Sequence, residues 1–282
     1  MEIVRTIAAA RAAVARARGG GARIGFVPTM GYLHEGHLSL VDRARERTGY
    51  VVVSIYVNPL QFGPQEDFAA YPRDLERDAE LARGRGADLI FAPSDAEMYP
   101  RREPATQVVP TRLADRLCGA FRPGHFQGVL TVVTKLCHIV QPDMAVFGQK
   151  DYQQATLIRR MVADLDWPLE IVVAPIVREP DGLAMSSRNA YLSPEQRRRA
   201  TALSCGLGRA EAAFAAGERD AARLCALVLD TLAAEPDVRV QYVELVHPDE
   251  LEPVAVARRG DVLALAAFVG QTRLIDNAIL GA

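Results

Sequence analysis

The hydrophobic and polar positions of this chain follow different patterns before and after about residue 175. In the first part, short apolar runs alternate with segments whose apolar residues recur at helical spacing. The run over 50–57 is rich in β-branched residues, which is typical of a strand buried on both faces. This alternation predicts an α/β fold with a Rossmann-like, doubly wound, mainly parallel sheet. The other predicted elements are helices over 5–18, 73–85, 129–140 and 152–165, a strand ending at 27, and strands over 88–92, 144–147 and 169–173.

The second part of the chain has a different character. An Asp-Gly pair at 181–182 lies between two apolar arms over 176–185, which predicts a hairpin. The sequence Ser-Pro-Glu-Gln over 193–196 is a typical helix start, with Ser at the N-cap, Pro at N1 and Gln at N3. We therefore predict a first domain over 1–175 and a smaller α+β domain with an antiparallel sheet over 176–282. Its predicted elements are helices over 194–216 and 221–234 and strands over 238–246, 262–269 and 273–277.

Composition and charge narrow the possible functions. The chain has 282 residues, 49% of them hydrophobic and 24% charged, with a formal net charge of −2, as in an ordinary globular protein. The balanced charge argues against a nucleic-acid partner, and the apolar runs are too short for a membrane span. The Arg- and Ala-rich segment over 5–18 is predicted to be a helix of the fold rather than a transit peptide. Four scattered cysteines without a Cys-x-x-Cys pair predict reduced thiols in the core of a cytoplasmic protein.

The clearest chemical signal follows the first predicted strand. Pro28 and Gly31 break the chain, and His34 and His37 come three residues apart at the start of an apolar-periodic segment. Both imidazoles are therefore predicted on one face of a helix's first turn, where backbone N–H groups and the positive dipole end favour phosphate. Gly36 lets a bulky ligand approach the backbone. Two alternatives remain open: surface histidines, or a metal site, although metalloproteases have His-Glu-x-x-His where this chain has His-Glu-Gly-His.

Three later loops carry polar residues that could serve a ligand. Asn58 and Gln61 follow the strand over 50–57 and supply amide donors and acceptors. The alternative is that this loop is only a turn. Lys150 is predicted at a helix N-terminus, where the dipole disfavours a cation unless it serves an anion. The sequence Met-Ser-Ser-Arg over 185–188 brings two hydroxyls and a guanidinium together, and its alternative is an exposed turn before a capped helix.

Two of these motifs together resemble a known superfamily. His-x-Gly-His after a strand resembles the signature of nucleotidyltransferases related to class I aminoacyl-tRNA synthetases. Met-Ser-Ser-Arg resembles the Lys-Met-Ser-Lys-Ser loop of those synthetases, with Arg188 in place of the last cation. The wider sequence Val-Pro-Thr-Met-Gly-Tyr-Leu-His-Glu-Gly-His resembles the pantoate–β-alanine ligase family. That resemblance covers nearly the whole chain, through 27–37, 53–62, 71–73, 122–128, 141–154, 181–192 and 273–277.

The resemblance implies a reaction and a set of site residues. It implies a cytoplasmic homodimer that uses ATP and Mg²⁺ to join pantoate to β-alanine through a pantoyl-adenylate, releasing AMP and pyrophosphate. The first domain would bind nucleotide and pantoate, and the second would close over the active site. The residues implied for catalysis are His34, His37, Lys150, Ser186, Ser187 and Arg188. ATP binding is implied for these six together with Pro28, Met30, Gly36, Gly148, Asp151, Val177 and Met185. Pantoate binding is implied for Met30, Asn58, Gln61 and Gln154, and metal binding for Asp78.

The chain departs from the family pattern at two places. Gln149 stands where many relatives have Glu, which removes a negative charge beside Lys150, and Arg77-Asp78 replaces an acidic pair of some relatives. With Asp78 alone, Mg²⁺ is expected to be held largely by phosphates and water.

Three other functions compete with the ligase hypothesis. One is another nucleotidyltransferase that acts on a different small acid or phosphate. A second is a tRNA synthetase, which the lack of an anticodon-binding extension and of a basic surface disfavours. The third is a catalytically inactive protein on the same fold, which the presence of His34, His37 and Lys150 disfavours.

Overall fold

The computed structural model describes residues 1–64, 66–102 and 104–282, which divide into two compact units. The first unit comprises Met1–Arg112, Arg122–Gln149 and Leu157–Pro175. The second comprises Leu113–Phe121, Lys150–Thr156 and Ile176–Ala282. The longest stretch of the second unit runs from Ile176 to Ala282, and two short segments of the predicted first domain, 113–121 and 150–156, also lie in this unit.

The first unit is built on a six-stranded parallel sheet, which confirms the predicted α/β fold class. The strands are β1 (Glu2–Val4), β2 (Ile24–Thr29), β3 (Tyr50–Ile55), β4 (Leu89–Phe91), β5 (Met144–Gly148) and β6 (Glu170–Ala174). They lie in the order β1-β4-β3-β2-β5-β6, and every neighbouring pair is parallel. Buried apolar residues fill β3, as expected for a strand covered on both faces.

Helices connect these strands and form much of the second unit. In chain order they are α1 (Ile7–Gly19), α2 (Glu35–Arg45), α3 (Leu75–Gly84), α4 (Asp95–Met98), α5 (Leu117–Phe121), α6 (His125–Val140), α7 (Tyr152–Asp164), α8 (Pro194–Ala200), α9 (Ala202–Ala215) and α10 (Ala221–Ala233). Short 3-10 helices occur at Pro59–Gln61, Gln149–Asp151 and Ser187–Tyr191. β1, α4 and α5 were not predicted, because elements of three to five residues are too short to show a periodicity. Within the described ranges, no helix combines the length and the apolar character needed to cross a membrane.

The chain order of the parallel sheet reverses between β2 and β5. From β2 the chain moves outward through β3 and β4, and it then returns to the other side of β2 to form β5. In open parallel sheets, ligands bind beyond the carboxyl ends of the strands at such a reversal. Because Thr29 ends β2 and Gly148 ends β5, the fold of the first unit points to the loops that follow these two residues.

The second unit contains a three-stranded antiparallel sheet with helices packed on it. Its strands are β7 (Val238–Val246), β8 (Val262–Val269) and β9 (Thr272–Ile279), in that order. α9 packs on α10, and α10 packs on β7. A Cβ on Gly206 would lie 3.2 Å from the Cα of Val228, so this glycine allows α9 and α10 to approach closely. The predicted α+β character is therefore confirmed.

The prediction of a single helix over 194–216 is wrong, because the helix is interrupted at Thr201. Thr201 separates α8 from α9, and its hydroxyl donates to the carbonyl oxygen of Arg198 at 2.7 Å. Such side-chain bonding to the preceding turn bends helices. The sequence gives little sign of it, because the apolar spacing continues through the break and neither Pro nor Gly marks it.

Hydrogen bonds explain why the two short segments belong to the second unit. The amide nitrogen of Gln153, in the first turn of α7, donates to the backbone carbonyls of Leu113 and Arg116 at 2.8 and 2.7 Å. The Arg116 guanidinium pairs with Glu252 at 3.0 Å. These contacts join residues that are far apart in sequence, so hydrophobic periodicity carries no information about them.

Candidate active site

His34 and His37 occupy the first turn of α2, beyond the carboxyl end of β2. His34 is the N-cap residue, and its carbonyl oxygen accepts the N–H of His37 at 2.8 Å. The ring centroids are 4.0 Å apart, and both residues are half-buried. The N–H of His34 donates to Nδ1 of His37 at a rather long 3.4 Å, which favours the neutral ring with its proton on Nε2. The pair therefore lies at the positive end of a helix, where a phosphate is favoured.

The loop that leads into this helix is fixed by a buried carboxylate. Asp78, on α3, is only 1% exposed, and its two oxygens accept the N–H groups of Tyr32 and Leu33 at 2.7 Å each. Gly31 has a φ of +82°, and a Cβ there would lie 2.9 Å from Asp78 Oδ2, so this position leaves no space for a side chain. Burial raises the pKa of Asp78, although the two amide hydrogen bonds oppose that shift. Asp78 thus sets the backbone path just before the histidine pair.

This arrangement does not fit Asp78 as a magnesium ligand, the role that the resemblance implies. Both of its oxygens already accept backbone hydrogen bonds, and Mg²⁺ retains several waters in an octahedral shell that so buried a carboxylate cannot accommodate. In addition, the described residues contain no group of three His, Cys, Asp or Glu side chains placed to hold a metal ion. We therefore assign the Asp78 carboxylate to the backbone of the loop.

Gln61 contacts both Met30 and Asn58. The Gln61 amide nitrogen donates to Met30 Sδ at 3.1 Å, and Asn58 Nδ2 donates to Gln61 Oε1 at 3.3 Å. Asn58 is 1% exposed, donates to the carbonyl oxygen of Gly128 at 3.1 Å, and accepts the Tyr99 hydroxyl at 3.0 Å. Burial raises the pKa of Tyr99 to about 12, which keeps this donor protonated. Asn58 therefore supports Gln61 from inside the fold, and its own contact with pantoate stays a prediction.

Arg122 and His125 hold the same segment from another side, and neither was predicted as a site residue. Arg122 donates to both oxygens of Glu66 at 2.6 Å and to Nε2 of His125 at 2.9 Å. Because a guanidinium only donates, Nδ1 of a neutral His125 carries the proton and donates to the Gln61 carbonyl oxygen at 2.8 Å. Burial alone would raise the pKa of Glu66, but the hydrogen bonds and charge of Arg122 lower it. The available signal was the Arg-Pro-Gly-His loop before α6.

Two segments of the second unit carry site residues that the resemblance implies, and Lys150 lies in the first of them. Lys150 and Asp151 belong to the 3-10 helix that leads directly into α7, so the predicted location of Lys150 at a helix N-terminus agrees with the structure. The carbonyl oxygen of Lys150 accepts Asn277 Nδ2 at 3.0 Å. Lys150 and Gln154 are half-buried, whereas Asp151 is exposed.

The second segment covers 185–188 and follows the predicted hairpin. The N–H of Met185 donates to the carbonyl oxygen of Val177 at 3.0 Å, which joins the two arms of the hairpin. Ser186 caps the 3-10 helix that follows by accepting the N–H of Arg188 at 3.3 Å. Ser187 is buried, whereas Ser186 and Arg188 are partly exposed.

The implied site residues are thus divided between the two units. Those of the first unit are Pro28, Met30, His34, Gly36, His37, Asn58, Gln61, Asp78 and Gly148. Those of the second unit are Lys150, Asp151, Gln154, Val177, Met185, Ser186, Ser187 and Arg188. Within the first unit the structure brings the two histidines together, and likewise Met30, Asn58 and Gln61.

Comparison with known proteins identifies the family of this chain. A family model described as pantoate-beta-alanine ligase matches residues 2–279. The chain belongs to the pantoate-beta-alanine ligase family. It is therefore a ligase that joins pantoate to β-alanine, as its resemblance to the family implies.

Similar proteins match over essentially their full length. The pantothenate synthetase of Pelotomaculum thermopropionicum is 59% identical over 281 residues, covering 100% of this chain and 99% of that protein. The pantothenate synthetase of Moorella thermoacetica is 56% identical, covering 99% of each. Among solved structures, pantothenate synthetase from Thermus thermophilus is 49% identical with a TM-score of 0.94 over 99% of each chain. Pantoate-beta-alanine ligase from Francisella tularensis, complexed with beta-gamma ATP and beta-alanine, is 32% identical with a TM-score of 0.80 over 100% of this chain and 98% of that one.

Proposed function

We propose that this ligase works in two steps through a pantoyl-adenylate. The pantoate carboxylate first attacks the α-phosphate of ATP and releases pyrophosphate. The amine of β-alanine then attacks the acyl carbon, and AMP leaves. Activation is required because a carboxylate oxygen is a poor leaving group. The observation that carries the proposal is the pairing of His34 and His37 at the N-terminus of α2, beyond the strand at which the sheet reverses.

The proposed roles in the first step are mainly electrostatic. Negative charge builds up on the α-phosphate and on the departing pyrophosphate, so positioning and charge stabilisation supply most of the catalysis. Nε2–H of His37 and the N–H groups of α2 supply donors from the first unit. The proposed donors from the second unit are Lys150, Ser186, Ser187 and Arg188. The remaining proposed ATP contacts are His34, Pro28, Met30, Gly36, Gly148, Asp151, Val177 and Met185.

Pantoate is proposed to bind through two amide side chains and a thioether. Gln61 and Gln154 would bond its hydroxyl and carboxylate oxygens, and Met30 would contact its methyl groups. The contact between Gln61 and Met30 at 3.1 Å supports this grouping. The segment over 185–188 would exclude water from the mixed anhydride, which water would otherwise hydrolyse.

Several further properties follow from the same proposal. The Francisella ligase is complexed with beta-gamma ATP and beta-alanine, which supports ATP as the nucleotide and β-alanine as the amine. Mg²⁺ would enter with the phosphates of ATP rather than occupy a site built by protein side chains. A homodimer and a cytoplasmic location remain proposals that rest on the family resemblance.

The test is ATP–pyrophosphate exchange with labelled pyrophosphate, Mg²⁺ and pantoate, in the absence of β-alanine. The proposal predicts pantoate-dependent exchange, because the first step is then reversible and cannot proceed further. His34→Ala, His37→Ala and Lys150→Ala should each reduce the exchange rate about 10²–10³-fold. The matched control is His138→Ala, which removes an exposed histidine of α6 and should leave exchange unchanged.

The outcomes separate the mechanism from the substrate. Exchange that depends on a different acid would keep the adenylation step and replace pantoate, as expected for another nucleotidyltransferase. If no acid supports exchange and β-alanine releases no AMP, the two-step mechanism is wrong for this chain.

A further inference from the structure

Two consecutive buried polar residues of β9 contact the two segments of the second unit that carry its proposed ATP-binding residues. Asp276 and Asn277 are each 2% exposed. Buried polar groups lower stability unless they are hydrogen-bonded, so their partners explain their presence. The Asp276 carboxylate accepts the N–H of Asn277 within β9 at 2.8 Å, and each of the two side chains also bonds to one of the two segments.

Asp276 holds the hairpin that precedes residues 185–188. Its carboxylate accepts Arg178 Nη1 at 2.6 Å and Arg178 Nη2 at 3.1 Å. Arg178 Nη1 also donates to the carbonyl oxygen of Gly182, at the turn of the hairpin, at 3.2 Å. One guanidinium therefore ties the hairpin turn to β9, and the fork-to-carboxylate geometry fixes direction as well as distance.

Asn277 holds the other segment. Its Nδ2 donates to the carbonyl oxygen of Lys150 at 3.0 Å. This bond fixes the backbone of the lysine without touching the ammonium group. The Lys150 ammonium group can therefore bind a phosphate while the Lys150 backbone stays in place.

We infer that Asp276 and Asn277 are positioning residues for adenylation, which hold Lys150 and the segment over 185–188 at fixed places within the second unit. This inference rests on the proposed function, because it assigns the two residues an effect only through those ATP-binding groups. A displacement of about 1 Å at a reacting group can cost about a hundredfold in rate. Loss of either contact should therefore lower the exchange rate of protein that remains folded.

Each variant exchanges an amide and a carboxylate in a side chain of the same shape. Asn277→Asp keeps the shape but turns a carboxylate oxygen toward the Lys150 carbonyl. Asp276→Asn removes the charge that faces Arg178. Each should reduce the exchange rate about tenfold to a hundredfold. The matched control is Asp261→Asn, since Asp261 is also buried in the second unit, at 4% exposure, and accepts a hydrogen bond from the N–H of Arg258; it should keep wild-type exchange.

Double-mutant cycles decide whether the two residues act through the ATP-binding groups. Asn277→Asp is combined with Lys150→Ala, and Asp276→Asn with Arg188→Ala. Both the exchange rate and the dissociation constant of ATP, by calorimetry, are measured. If the inference is right, each β9 substitution has little further effect once its ATP-binding group is gone. Losses that multiply independently in both cycles would show a general structural role and overturn the inference.

Failure of the inference can be distinguished from failure of the proposed function. If Lys150→Ala and Arg188→Ala themselves keep wild-type exchange, the proposed roles of these residues are wrong. If they abolish exchange while both β9 variants keep wild-type rates and ATP affinity, the proposed function survives and the positioning role does not. Should Asn277→Asp fail to fold, Asn277→Ala removes the donor without adding a charge and enters the same cycle.

Discussion

Gly128 lies so close to Leu60 that a Cβ on the glycine would be 2.2 Å from the Leu60 carbonyl oxygen. A glycine inside a helix lowers its stability by about 1 kcal/mol relative to alanine. The close approach of α6 to the 3-10 helix at Pro59–Gln61 explains why α6 has a glycine at this position. Gly128→Ala should push that segment away and displace the Gln61 side chain. We expect the KM for pantoate in the exchange assay to rise about tenfold or more, with a smaller change in the KM for ATP.

The control for this prediction is another helical glycine. Gly208 lies in α9, and a Cβ there would meet no atom within 4 Å. Gly208→Ala should leave the KM for pantoate unchanged and should not lower the free energy of unfolding. An unchanged pantoate KM in a folded Gly128→Ala protein would contradict the role of this contact.

Asp78→Asn tests whether the buried carboxylate positions the loop or binds Mg²⁺. One of the two backbone N–H groups would then face an amide N–H, so the free energy of unfolding should fall by about 1–3 kcal/mol. The exchange rate should fall about tenfold to a hundredfold, because the path of the chain into His34 changes. The Mg²⁺ concentration that gives half-maximal exchange should stay the same.

The control is Glu76, whose carboxylate is exposed in the same helix. Glu76→Gln should change neither the free energy of unfolding nor the exchange rate. If excess Mg²⁺ restored full activity to Asp78→Asn, the metal-ligand assignment would stand after all.

The sequence predicted the parts of this molecule that depend on local signals. The β-branched residues of β3 predict a strand buried on both faces, and a strand, a break and a helix start in succession place His34 and His37 at the start of a helix. The burial of Asn58 could not be predicted, because it depends on Tyr99 and Gly128, which lie 41 and 70 residues away in sequence. Local patterns therefore indicate which residues carry chemistry, but not which of them face a ligand.

Gln153→Glu tests why residues 113–121 belong to the second unit. Gln153 is 4% exposed, and its amide nitrogen donates to two backbone carbonyls. A carboxylate would place oxygens against both carbonyls, so we expect the free energy of unfolding to fall by about 2–4 kcal/mol. Amide hydrogen exchange should accelerate in residues 113–121. The control Gln271→Glu, at an exposed position of the same unit, should change stability by less than about 0.5 kcal/mol. Equal effects of the two substitutions would contradict this account.

The ion pair between Glu66 and Arg122 predicts a pH-dependent stability. Arg122 lowers the pKa of Glu66 in the folded protein, against the effect of burial. A carboxyl group whose pKa is lower in the folded than in the unfolded state stabilises the fold above its unfolded pKa of about 4.3. That contribution is lost as the pH falls through the folded pKa. Glu66→Gln should therefore lower the free energy of unfolding by about 1–2 kcal/mol at pH 7, and the difference from wild type should shrink toward zero in acid.

Denaturant unfolding of both proteins at pH 7 and in steps below about pH 4 measures this difference. Glu80→Gln, at an exposed position of α3, should give a small difference that does not change with pH. A loss for Glu66→Gln that stayed constant into acid would mean that packing of the side chain, rather than its charge against Arg122, supplies the stability. In that case Arg122 would have to hold His125, and through it the Gln61 carbonyl, without help from the Glu66 charge. Arg122→Lys would then cost little stability. A lysine cannot form the two parallel bonds to Glu66, but in that case those bonds would contribute little to the free energy of unfolding.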